Sequence, residues 1–280
     1  MPAEWSWQLL LAGAFRLDAG GMFGVVPKAV WARLTAADEQ NRIDLQTNCL
    51  LLDNGEHKVL IETGYGGKWR DKDRDIFHLQ PRTVLDALHE IDVAPAEINL
   101  VIVTHLHFDH AGGLTHLDHH GRTVSSFSNA RIAVQRTEWD DALANKSTMS
   151  RTYLRDHLDP VADQMHLIDG AIEILPGLSA LPTPGHTWGH HALLFRDVHG
   201  LVCFTGDLIP TANHVGLAFN MGYDMLPYQN MLTKRSLLER AASEHWRLVL
   251  DHEPGDPVLR VARDPQRDER FVLQSAATAV

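Results

Sequence analysis

The chain is punctuated by short runs of apolar, β-favouring residues set between polar turns. Seven such runs predict strands, at residues 48–52, 58–62, 100–104, 130–134, 191–195, 201–205 and 248–251. A further apolar patch, Leu9-Leu10-Leu11-Ala12, reads as an opening strand. Glu4 precedes it and no basic leader does, so it is not expected to be a signal peptide. Two stretches carry helical spacing instead. Over 81–91, Val84, Leu85, Leu88 and Ile91 share a face, and over 232–245, Leu237, Leu238, Ala241 and Ala242 do. Strands alternating with helices predict a layered α/β domain. No Pro/Gly/Ser-rich linker divides the chain, so residues 1–280 are expected to form one domain. Residues 18–39 and 210–229 show neither period and are expected to be long loops. They hold Gly, Pro and bulky apolar residues, and loops of that length usually carry function or an interface.

Composition narrows the function. With 280 residues, 44% hydrophobic, the chain is long enough to bury a large core. Acids outnumber bases 36 to 25, a net charge of −11, which argues against a nucleic-acid partner because phosphate backbones need clustered Lys and Arg. No apolar run nears the roughly 18 residues of a membrane span, so no membrane partner is expected and a cytoplasmic location is. The two cysteines, Cys49 and Cys203, lie in apolar runs and read as small core residues. Two thiols make neither a disulfide framework nor a cysteine-rich metal site. Histidine, at 18, turns attention to metal ligation.

The apolar run Leu100-Val101-Ile102-Val103 leads straight into Thr104-His105-Leu106-His107-Phe108-Asp109-His110-Ala111-Gly112-Gly113. Three imidazoles and a carboxylate thus fall within six residues. A buried strand end does not carry so many polar groups without partners, and a metal supplies them. In an extended segment His105 and His107 point the same way and can share one ion. Asp109 and His110 then turn toward a second, and Gly112-Gly113 allow a sharp bend and close packing behind. Two ions need more ligands, and rigid strand ends hold ligands best. His186 in Thr183-Pro184-Gly185-His186-Thr187, Asp207 after the run 201–205, and His252 after 248–251 fit that requirement. Most other histidines have no motif around them and are read as surface or packing residues.

On these four motifs, in this order, the chain resembles the metallo-β-lactamase-fold hydrolases from about residue 48 to about residue 254. The resemblance implies a four-layer αβ/βα sandwich with the metal site at one edge. It implies that His105, His107 and His186 hold one metal, that Asp109, His110 and His252 hold the other, and that Asp207 bridges them. Two divalent ions per chain are therefore expected, zinc first, with manganese, iron and cobalt also suited to His and Asp donors. Two such ions about 3.5–4 Å apart share a water and lower its pKa to about 7, giving a hydroxide for attack on a carbonyl or phosphoryl centre. Asp109 is placed to pass a proton to the leaving group. The family's usual Asp-x-Gly ahead of the cluster is here Glu62-Thr63-Gly64, so Glu62 is expected to orient the ligand loop from behind. His190 is expected to support His186 in the same way.

Local sequence around residues 20–28, 104–113 and 206–211 is similar to the branch of quorum-quenching lactonases and methyl-parathion-hydrolase-like enzymes. That likeness implies a dinuclear hydrolase that opens acyl-homoserine-lactone-type lactones or cleaves related lipophilic esters. The alternatives are an organophosphate or arylester hydrolase, or a mononuclear iron persulfide dioxygenase of the same fold. The best-known lactonases carry a Tyr three residues after the bridging Asp, whereas this chain has Pro210. A substrate-oxygen donor is therefore sought in Tyr223 or His214. Phe23, Phe219 and Met221 are expected to line a cleft for a neutral, lipophilic small molecule. The apolar content of 18–39 also predicts a homodimer contact.

Overall fold

The computed structural model describes residues 4–149 and 151–276. Among these, the strands in chain order are β1 (Ser6–Asp18), β2 (Arg42–Asp53), β3 (Lys58–Ile61), β4 (Leu100–Ile102), β5 (Thr115–Leu117), β6 (Thr123–Ser125), β7 (Arg131–Gln135) and β8 (Met165–Ile168). They continue as β9 (Ile172–Leu175), β10 (Leu178–Pro182), β11 (His191–Asp197), β12 (Gly200–Phe204), β13 (Arg247–Val249), β14 (Val258–Asp264) and β15 (Arg267–Ser275). The chain's contacts gather in two compact units.

One unit comprises Trp5–Phe15 and Gln46–Gly170. Its sheet runs in the order β1-β2-β3-β4-β7-β8, with β2 and β3 antiparallel and β3, β4, β7 and β8 parallel. Parallel strands are covered on both faces, which is why Leu60, Val101 and Ile132 sit in unbroken apolar runs and are fully buried. Val84, Leu88 and Trp139 pack into the same core from helices Val84–His89 and Arg136–Leu143. The first of these is the helix predicted at 81–91, but shorter. Thr83 starts it, its N–H donating to Asp86 Oδ2 at 2.8 Å. It ends where Asp92 takes φ 56° and Val93 N–H returns to Leu88 O at 3.0 Å.

The other unit comprises Arg16–Leu45 and the chain from Ala171 onward. Its sheet runs β15-β14-β13-β12-β11-β10-β9 and is antiparallel except between β12 and β13. That parallel pair needs a crossover, which helix Pro227–Ser243 supplies. Leu237, Leu238 and Ala241 of the helix pack with Cys203, Trp246 and Leu248 in one core. The helix starts at Pro227, ahead of the predicted 232, because proline suits the first helical turn even though the apolar stripe begins later. The two segments expected as long loops are partly regular. Residues 18–39 hold helices Ala19–Phe23 and Lys28–Trp31, the first capped by Asp18 Oδ1 accepting from Gly21 N–H at 2.9 Å. Residues 210–229 hold a 3₁₀ turn, Ala212–Val215.

All seven predicted apolar runs overlap strands, but β4 stops at Ile102 and β13 at Val249, two residues short of the predicted ends. Cys49 and Cys203 are fully buried, as expected, and burial pushes the Cys203 thiol up to about 12. Among the described residues no helix is long and apolar enough to cross a membrane.

Candidate metal centre

In the first unit, β4 ends at Ile102 and the chain bends at Thr104, His105 and His107 before the next helix. His105, His107, Asp109 and His110 are all buried. The His105 ring centroid lies 4.4 Å from that of His107 and 4.0 Å from that of His110. Helix Phe108–Ala111 starts directly after His107 and carries Asp109 in its first turn, which changes the direction of the side chains that follow.

Two buried carboxylates grip this loop. Glu62 Oε1 accepts from Thr104 N–H at 2.8 Å, and its Oε2 lies 3.4 Å from His110 Nδ1. Glu62 adopts φ 65°, a left-handed conformation unusual for a residue with a side chain, and one that clusters at functional sites. Glu138, fully buried, accepts from Leu106 N–H at 3.0 Å and from the Tyr153 hydroxyl at 3.1 Å. Burial and the neighbouring Glu138 hold the Tyr153 phenol well above its ordinary pKa, so it remains a donor. Thr63 N–H and hydroxyl both donate to His110 O, at 3.0 and 2.6 Å. A Cβ on Gly112 would overlap the Tyr65 carbonyl, and one on Gly113 the Thr63 carbonyl, so the paired glycines serve the close approach expected of them.

In the second unit, Asp207 lies in a 3₁₀ turn directly after β12. Its Oδ2 is 3.0 Å from His186 Nε2 and its Oδ1 is 3.2 Å from His252 Nε2, so each oxygen faces a different imidazole. His186 Nδ1 lies 2.9 Å from Asp224 Oδ1. His190 closes the His186 turn: its Nδ1 is 2.8 Å from the Thr183 hydroxyl, and its carbonyl accepts from Thr183 N–H at 2.9 Å. Pro210, in the place of the lactonase tyrosine, accepts from His252 N–H at 2.9 Å through its carbonyl. Asp251, also buried, has Oδ2 3.7 Å from His252 Nε2.

The residues expected to contact substrate form a packed aromatic layer in the same unit. The Phe23 ring stacks on Trp31 at 5.4 Å and 9°, stacks on His214 at 5.0 Å and 3°, and meets the edge of Phe219 at 6.3 Å. Phe23 and His214 are fully buried and Met221 nearly so. His214 engages the Thr211 hydroxyl through Nδ1 and Met22 O through Nε2, both at 2.8 Å, and burial pushes its pKa down to about 4. Tyr223 is half-buried, its hydroxyl lying directly over Gly21. Lys234, which sits in no motif, is buried, with Nζ donating to His214 O at 3.0 Å and Phe219 O at 2.8 Å. Desolvation lowers its pKa to about 8.

Imidazole nitrogens and carboxylate oxygens, buried and clustered at strand ends, are a donor set that suits zinc and its divalent neighbours. Asp207 sets one carboxylate oxygen beside His186 and the other beside His252. Such a donor set on an α/β frame defines a metal-binding protein. The chain belongs to the metallo-β-lactamase superfamily, whose family model matches residues 42–252. An N-acyl homoserine lactonase of Bacillus cereus is 29% identical over 179 residues, 60% of this chain and 65% of that enzyme. The match thus spans less than two thirds of that relative's length. Among solved structures, a probable metal-dependent hydrolase from Staphylococcus aureus superposes with a TM-score of 0.86 at 28% identity, covering 100% of both chains. AidC, a dizinc quorum-quenching lactonase in complex with a product, superposes with a TM-score of 0.80 at 17% identity, covering 100% of this chain and 97% of that one. The fold is the α/β metallo-β-lactamase fold.

Proposed function

We propose that residues 1–280 act as a single dinuclear metal-dependent hydrolase domain, opening lactones of the acyl-homoserine type or cleaving related lipophilic esters. In this reading, as the family resemblance implies, His105, His107 and His186 hold one ion, Asp109, His110 and His252 hold the other and Asp207 bridges them, with Asp251, 3.7 Å from His252 Nε2, as a further donor. The observation that carries it is the Asp207 carboxylate, whose two oxygens face two different imidazoles. The family match and the lactonase relatives support it.

When bound, a pair of divalent ions supplies an acidified water and a Lewis acid for the attacked carbonyl. The chain does the rest. Glu62 and Glu138 hold the backbone on either side of His105, so that its ring and that of His107 need not reorganise to bind. Asp109, buried beside His110, would take the proton that the attacking water gives up and pass it to the leaving alkoxide oxygen. Phe108, the chain neighbour of Asp109, forms a half-buried aromatic cluster with Trp69 and Phe77 at ring distances of 5.3 Å, apolar surface suited to an acyl chain.

The test is turnover by zinc-loaded protein of acyl-homoserine lactones, aryl esters and paraoxon, with elemental analysis of the same sample. Two ions per chain and lactone opening are expected. Arylester or paraoxon turnover without lactone opening would move the substrate to the alternative branch, one iron per chain with oxygen uptake would favour the dioxygenase, and no turnover of any substrate would remove the proposal.

A further inference from the structure

We propose that Asp224 is the positioning residue for His186, and that the segment 220–230, which contains two of the expected substrate contacts, Met221 and Tyr223, is built to hold that one imidazole. The proposal rests on the reading of His186 as a metal ligand. The Asp224 side chain is completely buried. Its Oδ1 lies 2.9 Å from His186 Nδ1, while Oδ2 accepts from Met221 N–H at 3.0 Å and from Asn230 Nδ2 at 2.9 Å. With Oδ2 taken up by two N–H donors, Oδ1 is the oxygen left to accept from Nδ1–H, and Nε2 is the atom left for an ion. That nitrogen is the one facing Asp207, at 3.0 Å.

The surroundings fix Asp224 in turn. Asn230 Nδ2 also donates to Asn220 Oδ1 at 3.1 Å, and Asn220 Nδ2 donates to Pro227 O at 2.9 Å. The backbone of the two segments is tied directly. Met225 N–H donates to His186 O at 3.0 Å, Leu226 N–H to Gly185 O at 2.9 Å, and the Thr233 hydroxyl to Pro184 O at 2.8 Å. Gly185 takes φ 154°, and a Cβ there would run into Asn230, so the turn can close onto the helix only because glycine occupies it. A carboxylate that orients a ligating imidazole and fixes its tautomer typically governs metal affinity by about 10–100-fold.

The experiment combines zinc affinity by chelator competition with ¹⁵N NMR of the histidine rings, the His186 signals being identified by their loss in His186→Gln. The expected result is a hydrogen on His186 Nδ1 in wild type both with and without zinc, loss of that hydrogen in Asp224→Asn, and zinc binding weakened by about 10–100-fold in that variant. Thr233→Val removes a different tie to the same turn and is expected to leave affinity within twofold. The assignment is overturned if Asp224→Asn retains wild-type affinity and the Nδ1–H tautomer, or if Thr233→Val weakens zinc as much. The wild-type spectrum needs no variant to fold: a His186 Nδ1 that carries no hydrogen there overturns the assignment too. Wild type that binds no zinc would instead sink the ligand reading, while the zinc-free spectra still decide the role of Asp224.

Discussion

Glu138 takes the N–H of Leu106 into a fully buried carboxylate, 3.0 Å away, between the two imidazoles of His105 and His107. The same Oε1 accepts the Tyr153 hydroxyl. Glu138→Leu would leave both donors buried without an acceptor, at about 1–3 kcal/mol each. Glu138→Gln keeps a carbonyl oxygen for them and is expected to cost much less. Urea unfolding of the zinc-free proteins should therefore give a large drop in midpoint for the leucine variant and a small one for the glutamine. A leucine variant as stable as wild type would detach Glu138 from the loop.

The ligand loop was legible because four donor residues crowd into six positions after an apolar strand, and His186, Asp207 and His252 each follow a turn or strand end of the same kind. The residues that hold these ligands were not. Asp224 and Glu138 are ordinary acids in the sequence, and each acquires its part only by meeting a residue 38 or 32 positions away. β3, β4 and β7, among the strands found from sequence, are buried along most of their length. β14 and β9 were missed because one face is wet: β14 alternates buried and half-exposed positions, and Ile172 of β9 is largely exposed. Their apolar runs are broken by charge, and no single run marks them. Phe23 and His214 show the opposite limit. A large apolar or aromatic loop residue carries the same letter whether it lines a cleft or fills a core, and here the rings stack on one another.

Gly112→Ala separates backbone crowding from backbone conformation. Gly112 has an ordinary helical φ of −62°, so alanine meets no dihedral penalty, but its Cβ would strike the Tyr65 carbonyl. A carbonyl cannot rotate aside as a side chain can, so the 62–66 turn must move. Gly121 is the reverse: φ is 74° and nothing lies within 4 Å of a built Cβ. Gly121→Ala should cost only the left-handed penalty, about 1–2 kcal/mol. Gly112→Ala should lower the unfolding midpoint further and reduce metal content, because the displaced turn carries Glu62 and Thr63. Equal midpoints and equal metal content for the two variants would contradict the packing described.

Asp207→Ala removes the carboxylate that faces both His186 and His252. Two imidazoles lose their common partner, and one negative charge leaves the region between the proposed ions. Metal content is expected to fall below two per chain and hydrolysis to be lost. Elemental analysis alongside turnover checks this, and near-wild-type turnover would show the ligand assignment to be wrong.

Acid stability provides the last prediction. His157 is buried edge-on against Trp69 at 5.9 Å, and desolvation, helped by Lys68, pushes its pKa down from 6.5 to about 3. The folded form therefore resists the proton that the unfolded chain accepts. Above pH 6.5 both states hold a neutral ring and His157 adds no pH dependence. As the pH falls from 6.5 toward 3, the unfolded state binds the extra proton and stability drops. At 1.36 kcal/mol per pH unit, the loss from this residue reaches on the order of 4–5 kcal/mol. His157→Phe keeps an aromatic ring beside Trp69 and cannot titrate. Unfolding midpoints measured across that range should fall less steeply for His157→Phe than for wild type, and parallel curves would show that His157 is not buried in its neutral form.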